Sequence, residues 1–212
     1  MLKIYGSKTF NAVKAVMTAE ECGAQYEYIQ MDFAKGDHKK PEYLKIHPLG
    51  KIPAMEDNGN PIFESNNMCR YIANISGKRL YSENPLLAAN IDQTVDVIGY
   101  HVGKWISTYF FQEIVMRVFR GAEPDLAAIS EAKGFLDEQL PYLNEILADS
   151  NFLCGDNITI ADTVAMPMFM VCDHTSFDFS DYANISRWFD MMKERPSYAA
   201  SMVHFPDGYN LG

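Results

Sequence analysis

The chain has 212 residues, 48% of them apolar, so it can bury a large core as one large domain or as two small ones. Its formal net charge of −10 argues against a nucleic acid partner, because phosphate binding needs clustered Lys and Arg. The most apolar run, residues 163–172, contains Pro167 and is too short to cross a membrane, and the charged N-terminus does not fit a signal peptide. We therefore expect an ordered cytoplasmic protein that binds neither nucleic acid nor membrane.

The four cysteines, Cys22, Cys69, Cys154 and Cys172, lie far apart in the sequence. They form no C-x-x-C pair and have no histidine at the spacing of a metal ligand. We expect free thiols in a reducing compartment, with no metal site.

The chain opens with a βαβ pattern. A strand is predicted at Leu2–Tyr5, a helix from about Phe10 to Cys22 before Gly23, and a second strand at Tyr26–Met31. This order predicts a parallel strand pair joined by a crossover helix.

Two short strands and a helix follow. Lys51–Met55 and Pro61–Phe63 flank the turn residues Asp57–Asn60. A helix is predicted to begin at Ser65 and to run to about Ile75. Strands and crossover helices therefore occupy residues 1–76, and a linker is predicted at residues 77–86.

Beyond Pro85 the strand pattern disappears. Helical patterns cover about residues 87–119, 124–148, 160–173 and 183–194, which predicts an all-helical domain over residues 87–212. Thr159 and Asp162 have the spacing of a capping box at the start of a buried helix, where each is expected to contribute about 1–2 kcal/mol. Pro167 is expected to kink that helix.

Three groups of residues occur in a fixed order along the chain. They are Lys35–Leu44 with His47–Ala54, Phe63–Asn66 with Arg70–Ala73, and Phe152–Asp156 with Thr159–Asp162 and Arg195–Tyr198. Together these groups resemble the cytosolic glutathione transferase family, in particular its phi-like and bacterial branches. The resemblance implies an α+β/α fold, with an N-terminal thioredoxin-like domain in the order βαβαββα and an all-helical C-terminal domain.

The resemblance also implies a glutathione site. A cis Pro53 turns the backbone of Ile52 outward, where a peptide pairs with it like an added strand. The alternative is a proline that only starts an edge strand. Ser65 and the first turn of its helix would bind the γ-glutamyl carboxylate and Glu64 the ammonium, although a Glu-Ser pair before a helix is often an ordinary cap.

Basic residues near this segment would hold the other end of the peptide. His38, Lys39 and Lys51 are assigned by resemblance to the glycine carboxylate. The neighbouring Lys35, Lys40 and Lys45 are interpreted as solvated surface residues.

The residue that activates the thiol departs from the family pattern. That pattern resembles Ser-x-Asn-x-x-Lys, and the matching run here is Thr9–Lys14, so a threonine stands in the serine position. A hydroxyl near a helix N-terminus donates to a sulfur and favours the thiolate, but the β-branched Thr9 is more restricted than serine. Asn11 and Ser7 are the other two candidates.

The helix after Pro85 carries His101, Trp105 and Tyr109 at four-residue steps. This spacing builds one aromatic face, which either lines an acceptor pocket for a flat apolar electrophile or belongs to the core. His101 is only a weak candidate for a general base.

The function implied is a glutathione transferase that conjugates the glutathione thiolate to a hydrophobic electrophile in detoxification, with glutathione as co-substrate. Two alternatives remain: a glutathione-dependent peroxidase or reductase, which usually has a cysteine in the place of Thr9, and a non-catalytic glutathione-binding regulatory protein. The resemblance further implies a homodimer, in which Asp92 or Asp96 reaches the partner's glutathione.

Overall fold

A computed structural model describes residues 1–205. Its first part contains four strands and three helices in the order βαβαββα, which confirms the predicted thioredoxin-like arrangement. The elements are β1 (Leu2–Gly6), α1 (Phe10–Cys22), β2 (Tyr26–Gln30), α2 (Pro41–Leu44), β3 (Ala54–Asp57), β4 (Asn60–Phe63) and α3 (Ser65–Ile75). A short 3-10 turn at Asp37–Lys39 precedes α2.

The four strands form one mixed sheet in the order β2-β1-β3-β4. β1 runs parallel to β2 and antiparallel to β3, and β3 pairs antiparallel with β4. Asn58 and Gly59 have φ values of 49° and 84°, the positive pair that a tight hairpin turn requires. Because β4 lies at the sheet edge, Pro61 is tolerated there although it has no N–H to donate.

One predicted strand boundary is wrong. β3 begins at Ala54, whereas the sequence pattern had included Lys51 and Ile52 in the strand. The peptide bond between Ile52 and Pro53 is cis, and the ladder starts only after the proline.

The second part is helical, as predicted. A long helix runs from Pro85 to Phe119, first as α4 (Pro85–Asp96), then through a π-helical segment (Val97–Val102), α5 (Gly103–Tyr109) and a second π-helical segment (Phe110–Phe119). It is followed by α6 (Leu126–Ile146), α7 (Ile160–Phe169), a 3-10 segment (Met170–His174), α8 (Ala183–Lys193) and α9 (Pro196–Met202). None of the helices within residues 1–205 is long and apolar enough to cross a membrane.

Helix α1 joins the two parts. It packs against α3 on one side and against α7 and α9 on the other. The hydroxyls of Thr18 and Thr163 are hydrogen-bonded at 2.7 Å in this buried contact. At the other end of α1, Arg195 donates to both oxygens of Glu21, at 2.5 and 2.8 Å.

The capping box at the start of α7 is confirmed, and its carboxylate does more than cap. Asp162 is fully buried and accepts the N–H groups of Thr159 and Leu153, each at 2.9 Å. It also accepts the indole N–H of Trp188 at 3.0 Å, so it ties α7 to α8 and to the preceding loop. Pro167 lies inside α7, and the kink expected there stays a prediction.

Removal of this carboxylate is expected to cost more than an ordinary cap. Asp162→Ala leaves the buried N–H groups of Leu153 and Trp188 without an acceptor and should lower the free energy of unfolding by about 3–5 kcal/mol. Thr159→Ala, which removes the cap and one of several hydrogen bonds to Asp162, should cost about 1–2 kcal/mol. Urea unfolding measures both, and Asp156→Ala, at an exposed site in the same loop, is the control. Equal losses for the two substitutions would contradict this role of Asp162.

Candidate active site

A cleft of about 470 Å³ opens where the N-terminal ends of α1 and α3 face the long helix α4–α5. Few of the residues around it are apolar, and most carry an amide, a hydroxyl or a charge. The lining residues are Phe10, Asn11, Lys14, Glu64, Ser65, Asn66, Asn67, Arg70, Asp96, Gly99, Tyr100, Gly103, Lys104, Ser107 and Met168.

The start of α3 supplies hydrogen-bond donors to this cleft. Ser65 is the first helical residue, and Glu64 holds the cap position without a side-chain hydrogen bond to the helix. The first intrahelical bond runs from the Met68 N–H to the Glu64 carbonyl at 2.9 Å, so the N–H groups of residues 65–67 precede the helical ladder. Such a terminus favours a carboxylate.

Glu64 adopts an unusual backbone conformation. Its φ is 67° and its ψ 110°, a region that residues with a side chain rarely enter. Conformations of this kind cluster at ligand sites, where the surrounding structure holds them. Here the conformation leaves the Glu64 side chain exposed at the cleft, next to the free end of α3.

The start of α1 brings one of the three thiol-activating candidates, Asn11, into the cleft, whereas Thr9 is not among the lining residues. Thr9 is the N-cap residue, and its hydroxyl oxygen accepts the Ala12 N–H at 3.4 Å, which leaves its own proton available. Asn11 lines the cleft, and its Oδ1 accepts the Ser65 hydroxyl at 3.4 Å. Residues 11, 64 and 65 therefore share one cavity, and Thr9 stands two residues from Asn11.

Ser7, the third candidate, lies elsewhere. It is buried and faces a small cavity shared with Tyr28 and His204, on the far side of α1 from Asn11. The structure does not bring its hydroxyl to the cleft.

Ile52 offers the unpaired backbone that the sequence led us to expect. Within residues 1–205, no hydrogen bond involves its N–H or carbonyl group. The preceding residue is fixed by the buried Tyr43, whose hydroxyl donates to the Lys51 carbonyl at 2.6 Å. Ile52 and Pro53 are not among the residues that line the cleft, and they lie towards the α2 side of the sheet.

The basic residues assigned to the glycine end lie beside this backbone. Lys39 donates to the carbonyls of Leu49 and Gly50 at 3.4 Å, and Lys51 is exposed. Gly50 has φ 56°, and a Cβ added there would lie 2.6 Å from the His38 carbonyl, so only glycine allows this close approach. The His38 carbonyl and the Lys39 ammonium thus lie close to Gly50, and Lys51 follows it in the chain.

The predicted aromatic acceptor face does not line the cleft. Trp105 stacks on Phe135 at 4.1 Å, Tyr109 is buried against Phe177, and His101 is exposed. The three residues differ in exposure and in packing partners, so they do not form one aromatic face at the cleft. The neighbouring Lys104 and Ser107 line the cleft instead.

The cysteines do not take part in this site. All four are free, and none lines the cleft. Burial raises the pKa of Cys22 and of Cys69 to about 11 and that of Cys172 to about 12. These thiols stay protonated and unreactive at neutral pH, which argues against a mixed-disulfide mechanism through the protein. The residues that the structure describes also contain no cluster of side chains that would hold a metal ion.

Lys14 is the site residue that sequence reasoning missed. Its side chain is only 3% exposed, yet it reaches the cleft, and its ammonium donates to Asn66 Oδ1 at 3.4 Å. Burial lowers the pKa of Lys14 to about 8, so most of it still carries charge at neutral pH. A lysine within the otherwise apolar run of α1 was the available sequence signal.

Known proteins match nearly the whole chain. The profile of the glutathione S-transferase N-terminal domain matches residues 2–74, and that of the C-terminal domain matches residues 105–196. The chain belongs to the glutathione S-transferase family. Glutathione S-transferase hmp2 of Hypomyces subiculosus is 30% identical over 93% of this chain and 96% of its own length.

Solved structures of this family show the same fold. Glutathione transferase F2 of Populus trichocarpa superposes with a TM-score of 0.89 at 30% identity and covers 97% of this chain and 99% of its own. Glutathione S-transferase I from maize, solved in complex with an atrazine glutathione conjugate, has a TM-score of 0.89 at 26% identity and covers 97% of this chain and 99% of its own. The present chain is thus a glutathione S-transferase, with glutathione as its co-substrate.

Because of Lys14, the free energy of unfolding of this transferase should depend measurably on pH. Its pKa is about 8 in the folded state and about 10.4 in the unfolded state, so between these values the unfolded chain binds a proton that the folded chain has released. The contribution of Lys14 to stability is therefore least favourable below about pH 8 and improves by about 3 kcal/mol as the pH rises through this window.

We expect Lys14→Met to remove this pH dependence. Its advantage in unfolding free energy over the natural protein should shrink by about 2–3 kcal/mol between about pH 7 and about pH 10. Urea unfolding at the two pH values provides the test, with the exposed Lys45→Met as matched control. A constant difference at both pH values would show that the Lys14 pKa is not lowered.

Proposed function

We propose that this glutathione S-transferase binds glutathione from Gly50 across Ile52 to the start of α3 and transfers its thiolate to an electrophile held in the cleft. Two observations carry the proposal: Asn11, Glu64 and Ser65 share one cavity, and the Ile52 backbone is unpaired within residues 1–205. A peptide placed there satisfies backbone groups that otherwise have no partner.

The γ-glutamyl end belongs at α3. Its carboxylate accepts from the Ser65 hydroxyl and from the free N–H groups of residues 65–67, which the helix dipole reinforces. Its ammonium pairs with Glu64, an acid for which the structure provides no ion pair within the described residues. The glycine carboxylate, at the other end, pairs with His38, Lys39 and Lys51.

The sulfur lies between Thr9 and Asn11. A free thiol has a pKa of about 8.5, so lowering it by about 2 raises the reactive fraction more than tenfold and needs about 2.7 kcal/mol of preferential stabilisation. The Thr9 hydroxyl, the Asn11 amide and the N-terminus of α1 are the groups able to supply this. The protein forms no covalent bond and acts by orientation and by stabilising the thiolate.

The enzyme is proposed to work as a homodimer. Phe63 at the end of the edge strand β4 is 37% exposed, and Leu86 at the start of α4 is 70% exposed, which leaves apolar surface for a partner. Both oxygens of Asp92 are already occupied by Arg70 and Tyr81. Asp96 has only one bond to Arg70 and lines the cleft, so it is the better candidate to reach the partner's glutathione.

A cytoplasmic location and a role in detoxification complete the proposal. Four free cysteines suit a reducing compartment, where the reduced glutathione that the enzyme needs is also found. Conjugation to a charged tripeptide converts a reactive electrophile into a water-soluble product. Cell fractionation tests the location directly.

The thiol-activation step is tested by ultraviolet titration of the bound glutathione thiolate. Thr9→Ala and Asn11→Ala should each raise the pKa of the bound thiol by about 1, because each removes one hydrogen bond to sulfur. Thr9→Ser should keep the low value, and Thr108→Ala, a matched substitution outside the cleft, should not change it. If bound glutathione in the natural protein titrates like the free peptide, the chain is a binding protein and not an enzyme.

The dimer is tested at Phe63. Phe63→Glu places a charge on the proposed interface and should shift sedimentation from dimer to monomer. Phe111→Glu, at a similarly exposed phenylalanine on the long helix, is the control and should remain dimeric. A natural protein that sediments as a monomer would exclude the dimer.

A further inference from the structure

Two lysines that line the cleft form no ion pair with a carboxylate within residues 1–205. Lys14 and Lys104 both line it, and no Asp or Glu within residues 1–205 lies within 4.0 Å of either ammonium. The third cation of the lining, Arg70, is bound to Asp92 and Asp96 at 2.6 and 3.1 Å. Glu64 also lines the cleft without an ion pair in that range, but the proposed binding mode assigns it to the ammonium of glutathione, so the two lysine ammonium groups remain without a counter-ion there in a chain whose formal net charge is −10.

Both lysines are held in place by neighbouring groups. The buried Lys14 donates to Asn66 at 3.4 Å and lies 5.8 Å from the centre of the Phe10 ring. Lys104 lies 4.1 Å from the centre of the Trp105 ring, which is itself stacked on Phe135. Contacts of this kind orient an ammonium without neutralising it.

Glutathione does not account for these charges. In the proposed binding mode its γ-glutamyl carboxylate is met by Ser65 and the start of α3, and its glycine carboxylate by residues near Gly50. Lys104 stands on the opposite wall, on α5, with Ser107 one turn further along. This wall is where the second substrate must enter, since α1 and α3 occupy the other side.

The residues that line the cleft also favour a second substrate that is partly apolar and partly charged. Phe10 and Met168 are its only purely apolar side chains, whereas Asn66, Ser107 and the two lysines are polar. The ammonium of Lys14, a residue only 3% exposed, has no counter-ion within residues 1–205, and such a buried charge is costly unless a ligand compensates it. An electrophile with an apolar body and an anionic group would contact the apolar side chains through its body and pair with the lysines through its charge.

We infer that the second substrate of this transferase is an electrophile that carries a carboxylate, recognised by Lys14 and Lys104 across the cleft. The inference rests on the proposed function and specifies the substrate class of the same site. In the reaction the thiolate sulfur bonds to the electrophilic carbon. On a chloroarene the carbon–chlorine bond then breaks and chloride leaves with the electron pair, so that no oxidant or reductant is needed.

The experiment compares a chlorodinitrobenzoate with the neutral chlorodinitrobenzamide of the same substitution pattern. The natural enzyme should have a kcat/KM for the benzoate about tenfold above that for the benzamide, and Lys14→Met and Lys104→Met should each lower this ratio about tenfold. The exposed Lys45→Met, outside the cleft, is the matched control and should keep the ratio. Because Lys104 is exposed on the helix surface, its substitution tests the idea even if Lys14→Met does not fold.

Three results would overturn the inference: a ratio of one or less in the natural enzyme, an unchanged ratio in Lys104→Met, or an equal loss in Lys45→Met. The rate with the benzamide distinguishes failure of this inference from failure of the proposed function. If the enzyme conjugates the benzamide and does not prefer the benzoate, only the inference of an anionic substrate is wrong. Conjugation of neither probe, together with a bound thiol that titrates like free glutathione, removes the proposed function itself.

Discussion

Helix α1 is buried on nearly every side, and the geometry of the site depends on this. Ten of its thirteen residues are buried, between α3 on one flank and α7 and α9 on the other. Small residues such as Ala15 and Ala19, both without exposed surface, allow the neighbouring helices to approach closely. The N-terminal end of α1 therefore has little freedom, and Thr9, Asn11 and Lys14 are held at fixed positions.

Helix α1 places its own N-terminus and the Lys14 ammonium next to the N-terminus of α3, and all three carry positive potential. The free N–H groups at the start of α3 meet the start of α1, where Asn11 accepts from Ser65 and Lys14 donates to Asn66. Helix termini and a buried ammonium act in the same direction, and their effect is strongest where water is excluded. The adjoining starts of α1 and α3 therefore favour an anion, while Glu64 and Asp96 place negative charge in the same cleft.

Local patterns were enough for most of the fold. The apolar spacing of α1, ended by Gly23 in the left-handed conformation, gave both ends of that helix correctly. The turn at Asn58 and Gly59 and the capping box at Thr159 were also found, since each depends on chemistry within a few residues. The start of β3 was missed because Pro53 has no N–H to donate, and the paired residues begin only at Ala54.

The sequence alone determined the fold class and the family, because these depend on short-range spacing and on motifs in fixed order, and it predicted the separate pieces of a glutathione site. Only the tertiary structure decided which pieces meet. In the structure, Asn11 and Ser65 line one cleft together with Lys14 and Lys104, whereas Ser7 faces a different cavity. Trp105 and Tyr109 pack against Phe135 and Phe177 and do not line the cleft. The direction in which a helical side chain points depends on which elements pack against that helix and on irregularities such as the π-helical segment Val97–Val102. No local sequence pattern predicted that segment.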